Sequence, residues 1–368
     1  MDKTKQDEVA IVTGVTGQMG SYLADFLLKK GIRVIGATRR LSVPNTQNIK
    51  HIVNSNFILE IMDLGDSHSI SSLIEKYKPN YFINSAANSF VGTSWQCPEQ
   101  HFEYNCLGVL RQLESIRKCS PHTKYLNFGS SEEFGDVKYT PQDENHPPSS
   151  RSPYGASKVA ARQIVKVYKE SYNLYAIQCW CFNYESERRG EEFVTRKITK
   201  GVARINQAIK NKHSFSPIEL GNLDVKRDWS HAEDFVEGIW KMLNQKTPIK
   251  NYILSSNESH SIREFVNLAF KNANIEGCWH GNGSSEEFSI ANYLVEEHDV
   301  KSSVLVKINP KFYRPAEVDL LLGDSSLARK ELDWQPKISF QELVSRMVKN
   351  DISILTSEER PLTIKHGA

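Results

Sequence analysis

Val9-Ala10-Ile11-Val12-Thr13-Gly14-Val15-Thr16-Gly17-Gln18-Met19-Gly20 is the stretch that decides the fold of this 368-residue chain. Its first five residues are an apolar run stopped by glycine, the pattern of a strand buried on both faces of a parallel sheet. An amphipathic run through Leu23, Phe26, Leu27 and Leu28 follows the glycines. The order is strand, glycine loop, helix. Glycines permit a tight turn and close approach of a pyrophosphate to the helix N-terminus, where free N–H groups and the helix dipole favour anions. The spacing is GxxGxxG, not GxGxxG. It admits a dinucleotide cradle, with Gly14, Thr16, Gly17, Gln18, Met19 and Gly20 at the cofactor, or a generic strand-to-helix turn.

Further strands continue the pattern. The strand at 33–37 ends in Thr38-Arg39-Arg40. A carboxylate there would hold a ribose 2′-hydroxyl. Two arginines suit a 2′-phosphate instead and point to NADP, the alternative being a solvated basic turn. The strand at 57–62 ends in Asp63-Leu64, where Asp63 either meets an adenine amino group or caps the next helix, at 67–77. The strand at 81–84 runs into Ser85-Ala86-Ala87-Asn88, small residues that let a cofactor lie along the backbone. Asn105 falls inside a helix expected over 98–118, either as a surface residue or as the holder of a backbone bulge near the active site.

The strand at 124–128 delivers Gly129-Ser130-Ser131-Glu132. Ligands of open α/β sheets sit beyond the carboxyl ends of the strands, so these side chains are expected in the crevice. Ser152-Pro153 opens a helix, serine as N-cap and proline in the first position. Tyr154 and Lys158 are four residues apart on it and share a face. A neighbouring ammonium favours the phenolate and makes a tyrosine a usable base near neutral pH. A plain alcohol dehydrogenase or 4-epimerase needs only Ser130, Tyr154 and Lys158. β-Elimination needs a further acid/base beside C5 and C6 of a sugar, and Glu132 supplies one. The alternative for Glu132 is a capping carboxylate.

Composition bounds the rest. The formal charge of +2 and a pI of about 8.1 give no basic stripe for nucleic acid. No apolar run reaches about 18 residues, and residues 1–7 are polar, so neither a membrane span nor an export signal is expected. Cys97, Cys106, Cys119, Cys179, Cys181 and Cys278 form no CxxC pair, and Cys179 and Cys181 alternate along an apolar strand. They read as buried free thiols in a reducing cytoplasm, with no metal site. The length suits an α/β domain with a smaller lobe.

These stretches resemble the extended short-chain dehydrogenase/reductase superfamily and, within it, the GDP-mannose 4,6-dehydratases. The resemblance runs from about Val9 to Val348. It is carried by Thr13-Gly14-Val15-Thr16-Gly17-Gln18 and, more specifically, by three later stretches. These are Asn183-Tyr184-Glu185-Ser186 through Arg188-Arg189-Gly190-Glu191 to Phe193-Val194-Thr195-Arg196-Lys197-Ile198; Leu220-Gly221-Asn222-Leu223-Asp224 through Lys226-Arg227-Asp228-Trp229; and Arg314-Pro315-Ala316-Glu317-Val318-Asp319 before Leu322-Gly323-Asp324.

The resemblance implies a doubly wound Rossmann parallel sheet with a smaller C-terminal α/β substrate lobe, divided mainly as 1–182 and 183–368, with later segments returning to the sheet. It implies a tightly bound, recycled NADP touching Gly14, Thr16, Gly17, Gln18, Met19, Gly20, Arg39, Arg40, Asp63, Leu64, Ala86, Tyr154, Lys158 and Arg189. It assigns Tyr154 as the base on the sugar 4-hydroxyl, with Lys158 tuning it, and Ser130 to the 4-oxygen. Glu132 removes the C5 proton and protonates the departing C6 hydroxyl. Asn88, Ser89, Glu133, Asn183, Val194, Lys197, Leu220, Gly221, Arg227, Arg314 and Glu317 are implied at the GDP-sugar, the arginines through bidentate phosphate contact. The segment holding Arg39-Arg40 and Pro44-Asn45-Thr46 resembles a loop that reaches a neighbouring subunit, which implies a homotetramer, or failing that a dimer.

Several positions depart from the family pattern. Met19 stands for an acidic residue, Asn88-Ser89-Phe90 for Gln-Ser-His, Glu133-Phe134 for an apolar residue and Tyr, Tyr184 for His, and Glu187 for Pro. Asn88, Phe90 and Glu133 are expected near the sugar. The pattern keeps GDP and leaves the sugar open between mannose and D-glycero-D-manno-heptose. A 4-epimerase or 4-oxidase on the same nucleotide sugar, and a non-enzymatic NADP sensor, are the competing readings.

In the second half, helices are expected at 231–243, 261–272 (capped by Ser261), 326–332 and 340–348, and a strand at 252–254. Residues 276–306 read as polar and irregular, with a turn at Asn282-Gly283-Ser284 and a short hairpin, and the tail beyond about Ser357 as loosely packed.

Overall fold

The computed structural model describes residues 8–291, 303–313, 316–318 and 320–358. Two compact units emerge, one of Met1–Tyr184, Arg227–Ser259 and Ala316–Ile338, the other of Glu185–Lys226, His260–Pro315 and Ser339–Ala368.

The first unit is built on a seven-stranded sheet. Its strands are β1 (Val9–Thr13), β2 (Arg33–Thr38), β3 (Phe57–Ile61), β4 (Tyr81–Asn84), β5 (Lys124–Phe128), β6 (Ala176–Cys181) and β7 (Tyr252–Leu254). They lie in the order β7-β6-β5-β4-β1-β2-β3 with every neighbouring pair parallel. The order reverses between β1 and β4, the point at whose carboxyl ends open α/β sheets form their ligand crevice. Both sheet faces are covered, so alternate residues of a strand enter different cores. Ala10 and Val12 pack with Leu23, Phe235, Ile239 and Trp334. Ile11 packs on the other face with Ile70, Leu113 and Val165.

The helices of this unit follow from local signals. α1 (Gln18–Lys29) starts at Gly17, and α2 (Ser67–Tyr77) is capped by Asp66, whose carboxylate accepts from the amides of His68 and Ser69. The single helix expected over 98–118 is three pieces: α3 (Pro98–Phe102), one π-helical turn at Glu103–Leu107, and α4 (Gly108–Cys119). α5 (Pro153–Tyr172) has Ser152 as cap, and α6 (Ala232–Leu243) has His231. α7 (Ser326–Leu332) completes the unit. The strand expected to run to Asn183 ends at Cys181, and Asn183 opens a separate short strand, Asn183–Glu185.

Among the described residues the second unit has three helices and a four-stranded sheet. Helix Val194–Lys210 buries Ile198, Val202 and Ile205 at helical spacing. Helix Ile262–Asn272 opens with a reciprocal Ser261–Glu264 capping box. Helix Phe340–Glu358 runs ten residues beyond the expected 340–348 because Asp351 is buried and paired with Arg196 at 2.8 Å. The short hairpin expected in 276–306 is present, Gly277–His280 antiparallel with Glu287–Ile290, around a turn at Gly283–Ser285. Residues 292–302 of that region, and 359–368 of the tail, lie outside the described residues.

Among the described residues no helix is long and apolar enough to cross a membrane. The cysteines correct one expectation. Cys106, Cys179 and Cys181 are buried, but Cys97 and Cys278 are exposed and Cys119 is half-buried. Cys179 and Cys181 do share a face, their sulfurs 3.4 Å apart.

Candidate active site

At the β1 end of the crevice the backbone is packed too closely for side chains. Gly14 has φ +63°, and a Cβ on it would lie 2.9 Å from Ala86 Cα. A Cβ on Gly20 would lie 2.3 Å from the Gly14 carbonyl oxygen. Gly17 is exposed at the start of α1, no side chain caps that helix, and its first turn carries no acid. A helix start of this kind, positive in its dipole and without an acidic side chain, suits an anion. Thr16 is half-buried, and its carbonyl accepts from Asn48. Gln18 donates to the Tyr184 carbonyl at 2.9 Å. The Met19 side chain is buried in the core with Leu23, directly behind the glycine loop.

Arg39 and Arg40 are exposed just past β2, where no carboxylate stands. Asp63, after β3, accepts from the Gly65 amide at 2.8 Å, and α2 is capped by Asp66 instead. Leu64 is buried, its Cβ close to Gly108. Ala86 donates its amide to Thr13 Oγ1.

At the β5 end the catalytic candidates come together. Ser130 caps a 3₁₀ turn, Ser131–Glu133, and its hydroxyl accepts from the Glu132 amide at 3.2 Å. A Cβ on Gly155 would lie 2.6 Å from the Glu132 carbonyl, so the first turn of α5 rests directly on this turn. Tyr154 and Lys158 are both buried on α5, with Lys158 Nζ 5.9 Å from the Tyr154 ring centre. Lys158 donates to the Phe128 carbonyl at 2.8 Å, and burial lowers its pKa to about 8.

Asn105 is buried in the π turn. Its amide accepts from Asn88 N (2.9 Å) and donates to Asn88 O (3.0 Å) and Ser157 Oγ (3.1 Å). A π turn inserts one extra residue, and here it turns the amide inward to lock the loop after β4 to α5. Asn88 is half-buried, its side chain donating to Gln100, and Ser89 is exposed. Sequence reasoning missed His101, buried with its ring 6.0 Å edge-on to Tyr154 and its pKa lowered by burial.

Glu133 corrects an expectation. It does not reach the crevice but is wholly buried. Its carboxylate accepts from Ser130 N (2.9 Å), Gln178 Nε2 (3.1 Å) and Trp180 Nε1 (3.0 Å). Burial pushes its pKa up to about 7, against these donors and the charges of Arg162 and Lys158.

Elsewhere in the first unit, the half-buried Asn183 has a buried Oδ1 with no hydrogen-bond partner, the kind of acceptor a ligand would satisfy. Arg227 is buried and donates to Val318 O (2.7 Å) and Glu317 Oε1 (2.8 Å). Here the two side chains hold each other. Asp228, which no spacing rule flagged, accepts from Ser256, Asn257 and Gly323, and burial raises its pKa to about 6.

In the second unit Arg189 pairs with Glu185 at 3.1 Å and lies over the Phe193 ring. Lys197 sits 3.5 Å over the Phe312 ring, its pKa lowered by burial. Val194 opens its helix, Leu220 is buried, and a Cβ on Gly221 would lie 2.7 Å from Phe312 O. Lys197, Lys200, Arg204, Glu219 and Phe312 line a cavity of about 740 Å³. Arg314 lies outside the described residues.

Comparison with known proteins agrees with this geometry. The family described as GDP-mannose 4,6 dehydratase matches over residues 11–347. The chain is similar to GDP-mannose 4,6 dehydratase of Drosophila melanogaster, 44% identical over 95% of this chain and 87% of that protein. It is similar to GDP-mannose 4,6-dehydratase of Vibrio cholerae serotype O1, 40% identical over 98% of this chain and 97% of that protein. Among solved structures, dTDP-glucose 4,6-dehydratase of Bacillus anthracis in complex with NAD superposes with a TM-score of 0.73 at 19% identity, covering 93% of this chain and 96% of that one. At that identity the likeness is one of fold.

Proposed function

The chain belongs to the GDP-mannose 4,6-dehydratase family, and from that premise we propose that it removes water from a GDP-linked manno-configured sugar, giving a 4-keto-6-deoxy product, with NADP held throughout. The observation that supports this most directly is the seating of the Ser130–Glu132 turn on the first turn of α5, the helix that carries Tyr154 and Lys158. A dehydrogenase or epimerase has no use for the Glu132 carboxylate, and an elimination does. The uncapped start of α1 fits a pyrophosphate, and the exposed Arg39-Arg40 pair, with no carboxylate beside it, fits a 2′-phosphate.

A bound nicotinamide supplies hydride acceptance from sugar C4 and hydride return to C6. The chain itself moves the protons. Tyr154, as phenolate, takes the proton of the 4-hydroxyl. The neighbouring Lys158 ammonium stabilises that phenolate. Ser130 already accepts from Glu132 N, so its hydroxyl proton is directed outward to the 4-oxygen. Once C4 is a ketone, the C5 proton is acidic and Glu132 removes it. The same carboxyl group then protonates the departing C6 hydroxyl, and water leaves. As hydride returns to C6, C5 takes back a proton equivalent to the one Tyr154 received, which restores the phenolate and leaves the sugar with no net redox change.

Val194, Lys197, Leu220, Gly221, Asn183 and Arg227 are proposed to hold the nucleotide diphosphate and sugar. A homotetramer is proposed because the segment after Arg39-Arg40 displays Leu41 and Val43 exposed, apolar side chains that a partner would cover.

The test is purified protein given GDP-mannose and, separately, GDP-D-glycero-D-manno-heptose, with loss of one water followed by mass. Water loss is expected from at least one, and the ratio of kcat/KM values names the sugar. Glu132→Gln is expected to leave C4 oxidation and abolish water loss, so that reduced cofactor accumulates. Wild-type protein that interconverts C4 epimers without losing water would make this a 4-epimerase and Glu132 a capping residue.

A further inference from the structure

Thr13, Asn84, Asn127 and Gln178 are register partners on the adjacent strands β1, β4, β5 and β6. All four are buried. Their side chains form one chain of hydrogen bonds. The Ala86 amide donates to Thr13 Oγ1 (3.0 Å), and Thr13 Oγ1 to Asn84 Oδ1 (2.9 Å). Asn84 Nδ2 donates to Asn127 Oδ1 (2.9 Å), and Asn127 Nδ2 to Gln178 Oε1 (2.8 Å). Gln178 Nε2 donates to Glu133 Oε1 (3.1 Å). Every donor points the same way, and the last acceptor is a carboxylate. Parallel strands bring identical positions into line, so a buried amide on each can be satisfied only by its neighbour. Gln112 braces the middle, donating to Asn84 Oδ1 and accepting from Tyr125.

We infer that Glu133 is a positioning residue: it terminates this one-way ladder and, through the Ser130 amide, fixes the turn that presents the Ser130 hydroxyl and the Glu132 carboxylate. What Ser130 and Glu132 do rests on the dehydratase function proposed above. The geometry leaves little slack. A Cβ on Gly129 would lie 2.3 Å from Gln178 Nε2 and 2.7 Å from Glu133 Oε1, so the carboxylate and the amide run directly under the turn. A third donor, Trp180 Nε1, closes on Glu133 Oε2. An apolar residue at 133 would leave Ser130 N, Gln178 Nε2 and Trp180 Nε1 without their acceptor. A glutamine would keep one acceptor oxygen and turn an NH₂ group against the Trp180 N–H.

The experiment compares wild type, Glu133→Gln, Glu133→Leu and the double variant Glu133→Gln/Trp180→Phe, each as the full chain. Water release from GDP-mannose gives kcat and KM. Amide hydrogen exchange across residues 128–134 is followed on free protein, without substrate. Glu133→Leu is expected to lower kcat by roughly 10–100-fold with KM within about threefold, because a displacement near 1 Å costs about that much. Exchange at 128–134 is expected to quicken at least about tenfold, with no change elsewhere. Glu133→Gln should fall between, and Trp180→Phe, by removing the opposed donor, should return part of its kcat. A lowered Tm with unchanged kcat and unchanged exchange at 128–134 would make Glu133 a stabiliser of the fold and overturn the inference. Wild-type protein that releases no water would overturn the proposed function, and the exchange comparison would then decide the positioning role by itself.

Discussion

The two ends of the Thr13–Glu133 ladder hold their parts of the site in opposite ways. At the β1–α1 end, position is set by side chains that are missing: Gly14 and Gly20 let the backbone of the loop, of α1 and of Ala86 meet within contact distance. At the β5–α5 end, position is set by side chains that are present and paired: Glu133 under the Ser130 amide, Asn105 between Asn88 and Ser157, Lys158 on Phe128 O. The first kind of construction fails when atoms are added. The second fails when they are removed or change protonation.

The sharpest break is expected at the glycine end. In Gly20→Ala the new methyl meets backbone, not a flexible side chain, so α1 must move away from β1. A loss of about 3 kcal/mol or more is expected, read as Tm by calorimetry on cofactor-free protein.

The other end is sensitive to pH. Glu133 has a folded pKa of about 7, above its ordinary 4.5, so the native state keeps a proton that the unfolded chain gives up. Stability conferred by that proton is lost as pH rises from about 4.5 through about 7, by about 3 kcal/mol. The cations facing Glu133 are Lys158 and Arg162 of α5. Lys158 acts with opposite sign in the next window: its folded value of about 8 lies below 10.5, so the cost of burying its ammonium is present below pH 8 and relieved as pH climbs toward 10.5. Urea unfolding across pH should show a trough between about 7 and 8, and Glu133→Leu should flatten its acid side. A profile that is the same in the variant would remove Glu133 from it.

A smaller effect should separate the ends. Asn127→Leu strips Asn84 of its acceptor and Gln178 of its donor in mid-ladder. It is expected to cost about 2 kcal/mol, with kcat lowered and affinity for NADP unchanged, because the cofactor end does not depend on the pairing beyond Thr13. The smallest expected effect is at Arg39 and Arg40. Replacing both by alanine should weaken NADP about tenfold, ~1.4 kcal/mol, and leave NAD alone, by titration calorimetry.

This contrast also explains what could be read in the sequence. Glycine spacing, apolar strand runs and the Tyr154/Lys158 pair are local patterns, and each element they predict is present. Asp228 and the ladder depend on which strands are neighbours, and β7, 70 residues beyond β6, shows how little chain order says about that. Glu133 misled for a local reason. Successive side chains in a 3₁₀ turn diverge by about 120°. Two adjacent glutamates therefore cannot share a crevice: Glu132 stays half-buried and Glu133 turns under the sheet. Asn105 stayed ambiguous because a π turn has no composition of its own. Once seen, the surplus residue accounts for its burial.

The indole of Trp180 is tied to Glu133 by its single N–H, at 3.0 Å from the carboxylate's second oxygen. Such a pair is inherited together or lost together. Relatives with an apolar residue at position 133 gain nothing from an indole donor at 180 and would be burdened by one without an acceptor. The two positions are therefore expected to change in step across the family.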